Sequence, residues 1–332
     1  MSLADIFNSD SFNLLSLTTS FNKLPFKPSR IGKMGLFTGK GVSTTTIVVE
    51  EKDGVLSLLP TKRRGEGGSV SKHDSRVVRS FAIPHIPHDD IILAEDIQNK
   101  RVFGSEDQLE SVSQIVNDRL QIMRGDHEVT HEHFRIGALQ GKILDADGST
   151  VLFNLFTEFN VSEQTTNFEF TSGSIDPQSL VVTVVRAIED ELGAAAYDHI
   201  HVFCGKDWFD AFVKHGVVKT AYERWRQGEF LRTDLRKGFE FAGVLFEEYR
   251  GKIGSVSFIG DTVARAFPVG VPNMYVEHWG PGDFMETVNT IGLPVYAKQE
   301  MMDFNRGVRL HTQSNVLPIV TRPKALHKLT KS

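Results

Sequence analysis

The stretch from Ser105 to Gly141 constrains the fold more than any other part of the chain. Ser105 is a favourable N-cap, Gly141 a favourable stop, and apolar or semi-apolar residues recur between them in steps of three, four and seven, as on one helix face. These residues are Leu109, Val112, Val116, Leu120, Met123, His127, Phe134 and Ala138. A helix over about 105–141 would be about 55 Å long, whereas globular helices average roughly 11–12 residues. The stretch therefore indicates an elongated subunit rather than a compact enzyme.

A zinc-peptidase signature lies inside the same stretch. His127, Glu128 and His131 spell H-E-x-x-H, in which the two histidines share a helix face and the glutamate serves as general base. The extended signature fails, because Phe134 and Gly137 stand where it requires Gly and a third His. Two interpretations stay open here: a zinc metallopeptidase, and two structural histidines on the inner face of the helix.

Bulk properties exclude several classes of protein. The chain has 332 residues and a net charge of -5, which suits two domains or one elaborated domain and disfavours a dedicated DNA-binding protein. No apolar run approaches the roughly 18 residues of a membrane span, and the start MSLADIF lacks the features of a secretory signal. Cys204 is the only cysteine, so no intrachain disulfide is expected. No Walker motif, nucleophile elbow or zinc-ribbon spacing occurs, and we expect no catalytic residues and no cofactor.

Residues 1–40 are predicted to form an extended N-terminal arm. Pro25 and Pro28 fix φ and remove hydrogen-bond donors, which favours extended chain over helix. The arm is too apolar for a solvated tail, since it contains Phe12, Leu14, Leu15, Leu17, Phe21, Leu24 and Phe26. We expect it to lie on another surface, either its own subunit's or a neighbour's.

Residues 41–85 are predicted to form a long β-hairpin. The run VSTTTIVVEE is β-branched, and a return strand ends near Ile83. Between them lies a glycine-rich tip with Lys62, Arg63, Arg64 and Glu66, whose spacing does not match a phosphate-binding loop. The tip is either a solvated loop or a basic finger that contacts acidic groups of another subunit.

The remaining chain divides into two further regions. Alternating helix and strand patterns over 177–285 predict a separate α/β domain. Residues 86–176 and 286–325 are assigned to a second domain, in which two late strands return to pair beside the long helix. The short basic tail after 323 is expected to be frayed.

Four strings of the sequence resemble the major capsid protein E family of tailed phages, in its lambda-like branch. They are SLTTSFNKLPFKPSRIGKMGLFTGKGV, RIGALQGKILDADGSTVLFNLFTEF, ARAFPVGVPNMYVEHWGPGDFMETVNTIGLPVYAK and QSNVLPIVTRP. Together they span about a third of the chain, in order, from 16 to 323. Their combination and order carry the resemblance, because no single string is decisive.

The resemblance implies an α+β chain with the Hong Kong 97-type phage capsid fold. By this analogy 1–40 is the N-terminal arm and 41–85 the extended E-loop. Residues 86–176 and 286–325 are the peripheral domain, with the spine helix at about 105–141, and 177–285 is the axial domain. The family has no catalytic residues to transfer, and its presence disfavours the zinc metallopeptidase.

The function implied by the resemblance is a shell subunit of a phage or prophage virion. Homo-hexamers and homo-pentamers would form a shell around double-stranded DNA, which lies close to the shell without specific recognition. Scaffold, portal and decoration proteins would be partners. No membrane is expected, and assembly would take place in the host cytoplasm. A decoration or tube-forming phage protein is a further alternative. Gly125 is a hypothetical hinge of the spine helix, because glycine destabilises a helix interior. The alternative is a merely tolerated glycine.

Overall fold

The structure is a computed structural model, and its described residues are 14–23, 29–52, 76–97, 112–170, 175–226, 238–254 and 256–331. The predicted N-cap Ser105 and the predicted E-loop tip, with Lys62, Arg63, Arg64 and Glu66, lie outside the described residues. The predictions made for them stay predictions.

The helices are α1 (Leu14–Lys23), α2 (Arg30–Met34), α3 (Ala94–Ile97), α4 (Val112–Leu139), α5 (Leu155–Glu158), α6 (Pro177–Leu192), α7 (Lys206–Lys214) and α8 (Gly216–Arg226). Short 3-10 turns occupy Met285–Thr287, Asp303–Asn305 and Pro323–Ala325.

The strands are β1 (Thr38–Gly41), β2 (Thr46–Lys52), β3 (Arg76–Ala82), β4 (Ile86–Leu93), β5 (Lys142–Leu144), β6 (Val151–Asn154), β7 (Gln164–Asn167), β8 (His199–Cys204), β9 (Phe239–Phe241), β10 (Val244–Glu248), β11 (Lys252–Ile253), β12 (Val256–Ser257), β13 (Val263–Val269), β14 (Tyr275–Trp279), β15 (Tyr296–Met301), β16 (Gly307–Ser314), β17 (Val316–Val320) and β18 (His327–Thr330). The larger sheets have the orders β1-β14-β17, β15-β16-β4 and β7-β18-β13-β8-β10-β9.

The long helix predicted from periodicity is present as α4. Its described part has 28 residues, which at 1.5 Å per residue makes about 42 Å. It ends where the sequence predicts, because Gly141 has a φ of 73° that favours glycine. A side chain there would also collide with the ring of Phe156, at 2.2 Å.

The chain divides into two compact units. The first consists of 1–47, 82–133 and 277–318, and the second of 48–81, 134–276 and 319–332. The division passes through α4 after His133. The assignment of a peripheral domain to 86–176 and 286–325, and of an axial domain to 177–285, stays a prediction.

The core of the first unit forms where the antiparallel sheet β15-β16-β4 meets α1 and α4. Val308 and Leu310 of β16 and Ile92 of β4 contribute from the sheet. Leu120 and Met123 contribute from α4, both 2% exposed. The sequence predicted that the two late strands pair beside the long helix, and the first unit has this arrangement.

The prediction that residues 1–40 form extended chain was wrong for 14–23 and 30–34. α1 and α2 are helical, and α1 places Leu17 and Phe21 on one face, buried in the core of the first unit. Thr18 fixes the register, since its Oγ1 donates to the carbonyl of Ala297 and accepts from the same residue's N–H. Within this part of the chain, the segment packs on its own subunit.

The second unit is built on the six-stranded mixed sheet. β8 and β10 are parallel, as are β18 and β7, whereas β13 is antiparallel to β8 and β18. Trp208 and Phe212 of α7 stack on Phe246 of β10, with ring centroids 6.0 and 4.5 Å away. Asp176 caps α6 by accepting from the N–H of Gln178. The α/β pattern of this region is confirmed.

The prediction for the C-terminal tail was also wrong. It was expected to be frayed, but β18 lies between β7 and β13 in the six-stranded sheet. His327 and Leu329 are buried while Lys328 and Thr330 are half-buried. This alternation is the period of two that marks a strand with one face in a core.

The hairpin arms also pair as predicted. β2 and β3 are hydrogen-bonded neighbours in a two-stranded sheet. The chain between them, 53–75, lies outside the described residues.

Candidate functional site on the long helix

The segment of α4 that carries the H-E-x-x-H signature presents an unusual number of buried polar side chains. Ionisable residues are seldom fully buried unless they are paired. All of the following are at most 8% exposed: Arg124, His127, Glu128, His131, Glu132 and His133. Their partners decide what this face can do.

The two signature histidines face strand β16. His127 Nε2 lies 2.9 Å from Thr312 Oγ1, and His131 Nε2 lies 2.5 Å from Ser314 Oγ. Four residues of helix advance about 6.0 Å and two residues of strand about 6.6 Å, so the spacings match. The histidine ring centroids are 6.4 Å apart. The signature spacing therefore also suits a strand with hydroxyls at alternate positions.

The carbonyl partners of the two hydroxyls indicate which atoms donate. Thr312 Oγ1 donates to the carbonyl of His88 at 3.1 Å, and Ser314 Oγ donates to the carbonyl of Pro294 at 2.9 Å. A hydroxyl has one hydrogen, so each oxygen must accept from the imidazole that faces it. Both histidines therefore carry their hydrogen on Nε2, and neither Nε2 has a free lone pair.

Burial keeps His127 neutral. Desolvation first, and then the neighbouring His131 and His88, lower the pKa of His127 from 6.5 to about 3. A neutral imidazole with hydrogen on Nε2 agrees with the hydrogen bond to Thr312.

The signature glutamate has a structural role as well. Ser29, at the start of α2, donates its hydroxyl hydrogen to Glu132 Oε2 at 2.5 Å, and its Oγ lies 3.2 Å from Glu128 Oε1. The N–H of Ile31 donates to Glu132 Oε1 at 2.9 Å. These bonds place carboxylate charge at the N-terminus of α2, where free N–H groups favour it. The two glutamates thus hold the N-terminal segment on the long helix.

This arrangement does not support the zinc metallopeptidase alternative. Zinc binds imidazole through a nitrogen lone pair. The Nε2 atoms of both histidines face hydroxyls of β16, which leaves only the Nδ1 atoms for a metal ion. Among the described residues, no group of three or more His, Cys, Asp or Glu is placed to hold a metal ion. The inner-face interpretation is the one that the hydrogen bonds fit.

Gly125 lies in an uninterrupted stretch of α4, half-buried. A Cβ added there would have nothing within 4 Å. Space around the helix thus does not require glycine at this position. The hinge role stays a prediction.

The sequence analysis did not predict that several large apolar side chains of the first unit are exposed. Met285 is 88% exposed, Val288 59% and Ile291 71%, and all lie between β14 and β15. Phe304, between β15 and β16, is 89% exposed. Large apolar side chains clustered on a surface indicate an interaction site. The signal in the sequence was apolar residues at intervals of three in a segment that also contains several Gly, Pro and Thr residues.

None of the helices in the described ranges is both long enough and apolar enough to span a bilayer.

Comparison with known proteins gives consistent similarities along the chain. The sequence model of a family described as phage major capsid protein E matches residues 13–331. The chain is 27% identical to the major capsid protein of Salmonella phage Felix O1, covering 95% of both chains. It is 26% identical to the major capsid protein of Pseudomonas phage KPP10, covering 96% of this chain and 97% of the other.

The structure resembles the capsid structure of cyanophage P-SCSP1u with a TM-score of 0.51, at 9% identity, over 93% of this chain and 90% of that one. At this identity the similarity concerns the fold alone. It confirms the expected α+β fold of the Hong Kong 97 type.

Proposed function

Because the chain belongs to the phage major capsid protein E family, we propose that it is the major capsid protein of a tailed phage or prophage. Copies of the chain assemble into an icosahedral shell that encloses double-stranded DNA. The observation that carries this proposal is the family match, since it extends over residues 13–331 rather than over one motif.

Features of the first unit support a self-assembling role. Met285, Val288, Ile291 and Phe304 expose apolar surface that association with other copies would bury. Burying apolar surface is favourable by about 25 cal/mol per Å², so each such contact is modest. Many modest contacts per subunit add to a stable shell, because each contact raises the effective concentration for the next.

Finer aspects of the proposal rest on the family resemblance. The shell is built from homo-hexamers and homo-pentamers. Scaffold, portal and decoration proteins are its partners. The shell lies in the virion, and assembly takes place in the host cytoplasm. Lys62, Arg63, Arg64 and Glu66 contact a neighbouring subunit, and the packaged DNA is held by proximity without sequence recognition. This role requires neither catalysis nor a cofactor.

Sedimentation and electron microscopy test the proposal. The full chain is expressed alone and together with a scaffold protein, purified, and examined for particles and for bound zinc. We expect large closed shells without stoichiometric zinc. A chain that stays monomeric under both conditions, with one zinc per chain and peptidase activity, would instead support the metallopeptidase. Open tubes in place of closed shells would support a tube-forming phage protein.

A further inference from the structure

The turn between β15 and β16 projects an aromatic ring into solvent. Phe304 is 89% exposed and has a φ of 60° and a ψ of 20°, in the left-handed region. Asn305 follows with a φ of 54°. Asparagine tolerates this region, but a bulky residue with positive φ is an outlier. An exposed phenyl ring on strained backbone is doubly unfavourable in an isolated subunit.

Hydrogen bonds fix this conformation. The N–H of Met302 donates to the carbonyl of Gly307 at 2.9 Å, and the N–H of Asn305 donates to the carbonyl of Met302 at 3.0 Å. Arg306 places its guanidinium 5.5 Å from the centroid of the Phe304 ring. The ring is therefore held at the tip of the β15–β16 hairpin.

A cavity lies beside the ring. It has a volume of about 380 Å³, and Phe304 borders it together with Glu300, Met301, Met302, Asp303, Arg306 and Arg309. Clefts of roughly 300–1,000 Å³ are large enough for a small molecule, so the volume of this one is sufficient for a phenyl ring. Methionine side chains adapt to aromatic partners and make favourable contacts with them.

We propose that Phe304 anchors a contact between two copies of this chain, in which the ring of one copy enters the cavity of the other beside Met301 and Met302. This inference rests on the proposed function and specifies one of its subunit contacts. The border of the cavity has two carboxylates, Glu300 and Asp303, and two guanidiniums, Arg306 and Arg309. A balanced border matches a second copy of itself, whereas a strongly acidic or basic partner would meet like charges.

The placement of ring and cavity on one hairpin also favours a second copy. In a self-complementary contact the same patch supplies both the inserted group and the receiving site. Aromatic residues, methionine and arginine are enriched in such interfaces, and buried aromatic anchors often dominate their binding energy.

Assembly of tip variants tests the inference. Phe304→Ala should raise the subunit concentration needed for half-maximal shell formation at least about tenfold, as loss of an anchor residue does. Phe304→Gly should have the same effect without weakening the folded subunit, because glycine adopts the left-handed region without strain. Val217→Ala, on the exposed face of α8, is the matched control and should assemble like the wild type.

A photo-cross-linking residue, p-benzoylphenylalanine, in place of Phe304 identifies the occupant. We expect cross-links to residues 300–309 of a second copy in assembled particles. Cross-links confined to the same chain, or to a different protein, overturn the inference. Normal assembly of Phe304→Gly beside wild-type shells overturns it while leaving the proposed function intact. A wild-type chain that forms no particles contradicts the proposed function itself.

Discussion

The buried histidine of the long helix predicts acid sensitivity of the first unit. His127 is 2% exposed and donates to Thr312, and its pKa is lowered to about 3 by burial and by His131 and His88. A histidine in the unfolded chain has a pKa of about 6.5. Below pH 6.5 the His127 side chain therefore binds a proton in the unfolded chain but stays neutral in the folded chain. Stability from this residue is complete above pH 6.5 and is lost as pH falls from 6.5 towards 3.

The magnitude follows from the width of this window. Each pH unit between the two pKa values removes about 1.36 kcal/mol from the free energy of unfolding. At pH 4.5, two units below 6.5, the loss is about 2.7 kcal/mol. Domains are stable by only about 5–15 kcal/mol, so this loss is measurable.

Denaturant unfolding of unassembled subunits measures the effect. The free energy of unfolding is determined at several pH values from 7.5 to 4.5 for the wild type and for His127→Gln. The glutamine amide can still donate to Thr312 but does not titrate. We expect the variant to lose less stability over this range than the wild type, with a difference of about 2.7 kcal/mol at pH 4.5.

A control and a clear contrary result accompany this prediction. His199→Gln, which replaces an exposed histidine of β8, is the control for the removal of a histidine. A constant free-energy difference between wild type and His127→Gln from pH 7.5 to 4.5 would refute the argument. It would mean that His127 takes up its proton in the folded chain as readily as in the unfolded one.

Three other predictions concern the long helix and the segments around it. Phe21→Ala should destabilise the subunit by about 3–5 kcal/mol in thermal or denaturant unfolding, because Phe21 is fully buried, and Phe21→Leu should cost less. Gly125→Ala should stabilise the folded subunit by roughly 0.5–1 kcal/mol but slow the expansion of a precursor shell, and normal expansion would reject the hinge. Replacing Lys62, Arg63 and Arg64 together by Glu should reduce particle yield while the melting temperature of the subunit stays unchanged, and an unchanged yield counts against a contact at the tip.

Elements with local signals were predictable from the sequence. α6 begins after Asp176 with Pro177 at its first position and ends at Gly193, whose φ is 59°. The long helix ends at the glycine that its periodicity indicated, and Asp147 closes the β5–β6 turn by accepting from the N–H groups of Ser149 and Thr150. Such signals act over a few residues, so they do not depend on how the rest of the chain packs.

Elements that depend on distant partners were not predictable in this way. α1 contains Thr18 and Thr19, which do not favour a helix by themselves, and it is fixed by burial of Phe21 in the core of the first unit. β18 is fixed by pairing with β7 and β13, two strands that are distant from it in sequence. In both cases tertiary contacts override weak local preference, and the sequence alone does not show the partner.

The candidate site shows why the H-E-x-x-H signature does not by itself establish a metal site. Histidines at i and i+4 present two imidazoles on one helix face, and this geometry suits a metal ion and a row of hydroxyls equally well. The choice depends on protons supplied by other chain segments. The hydroxyls of Thr312 and Ser314 donate to the carbonyls of His88 and Pro294. The two hydroxyl oxygens therefore accept from the imidazoles. Changing Thr312 to Val should therefore leave an unsatisfied Nε2–H on His127 and destabilise the subunit by about 1–3 kcal/mol in denaturant unfolding. A neutral or stabilising effect would show that His127 does not donate to this strand, and would reopen the question of what its Nε2 binds.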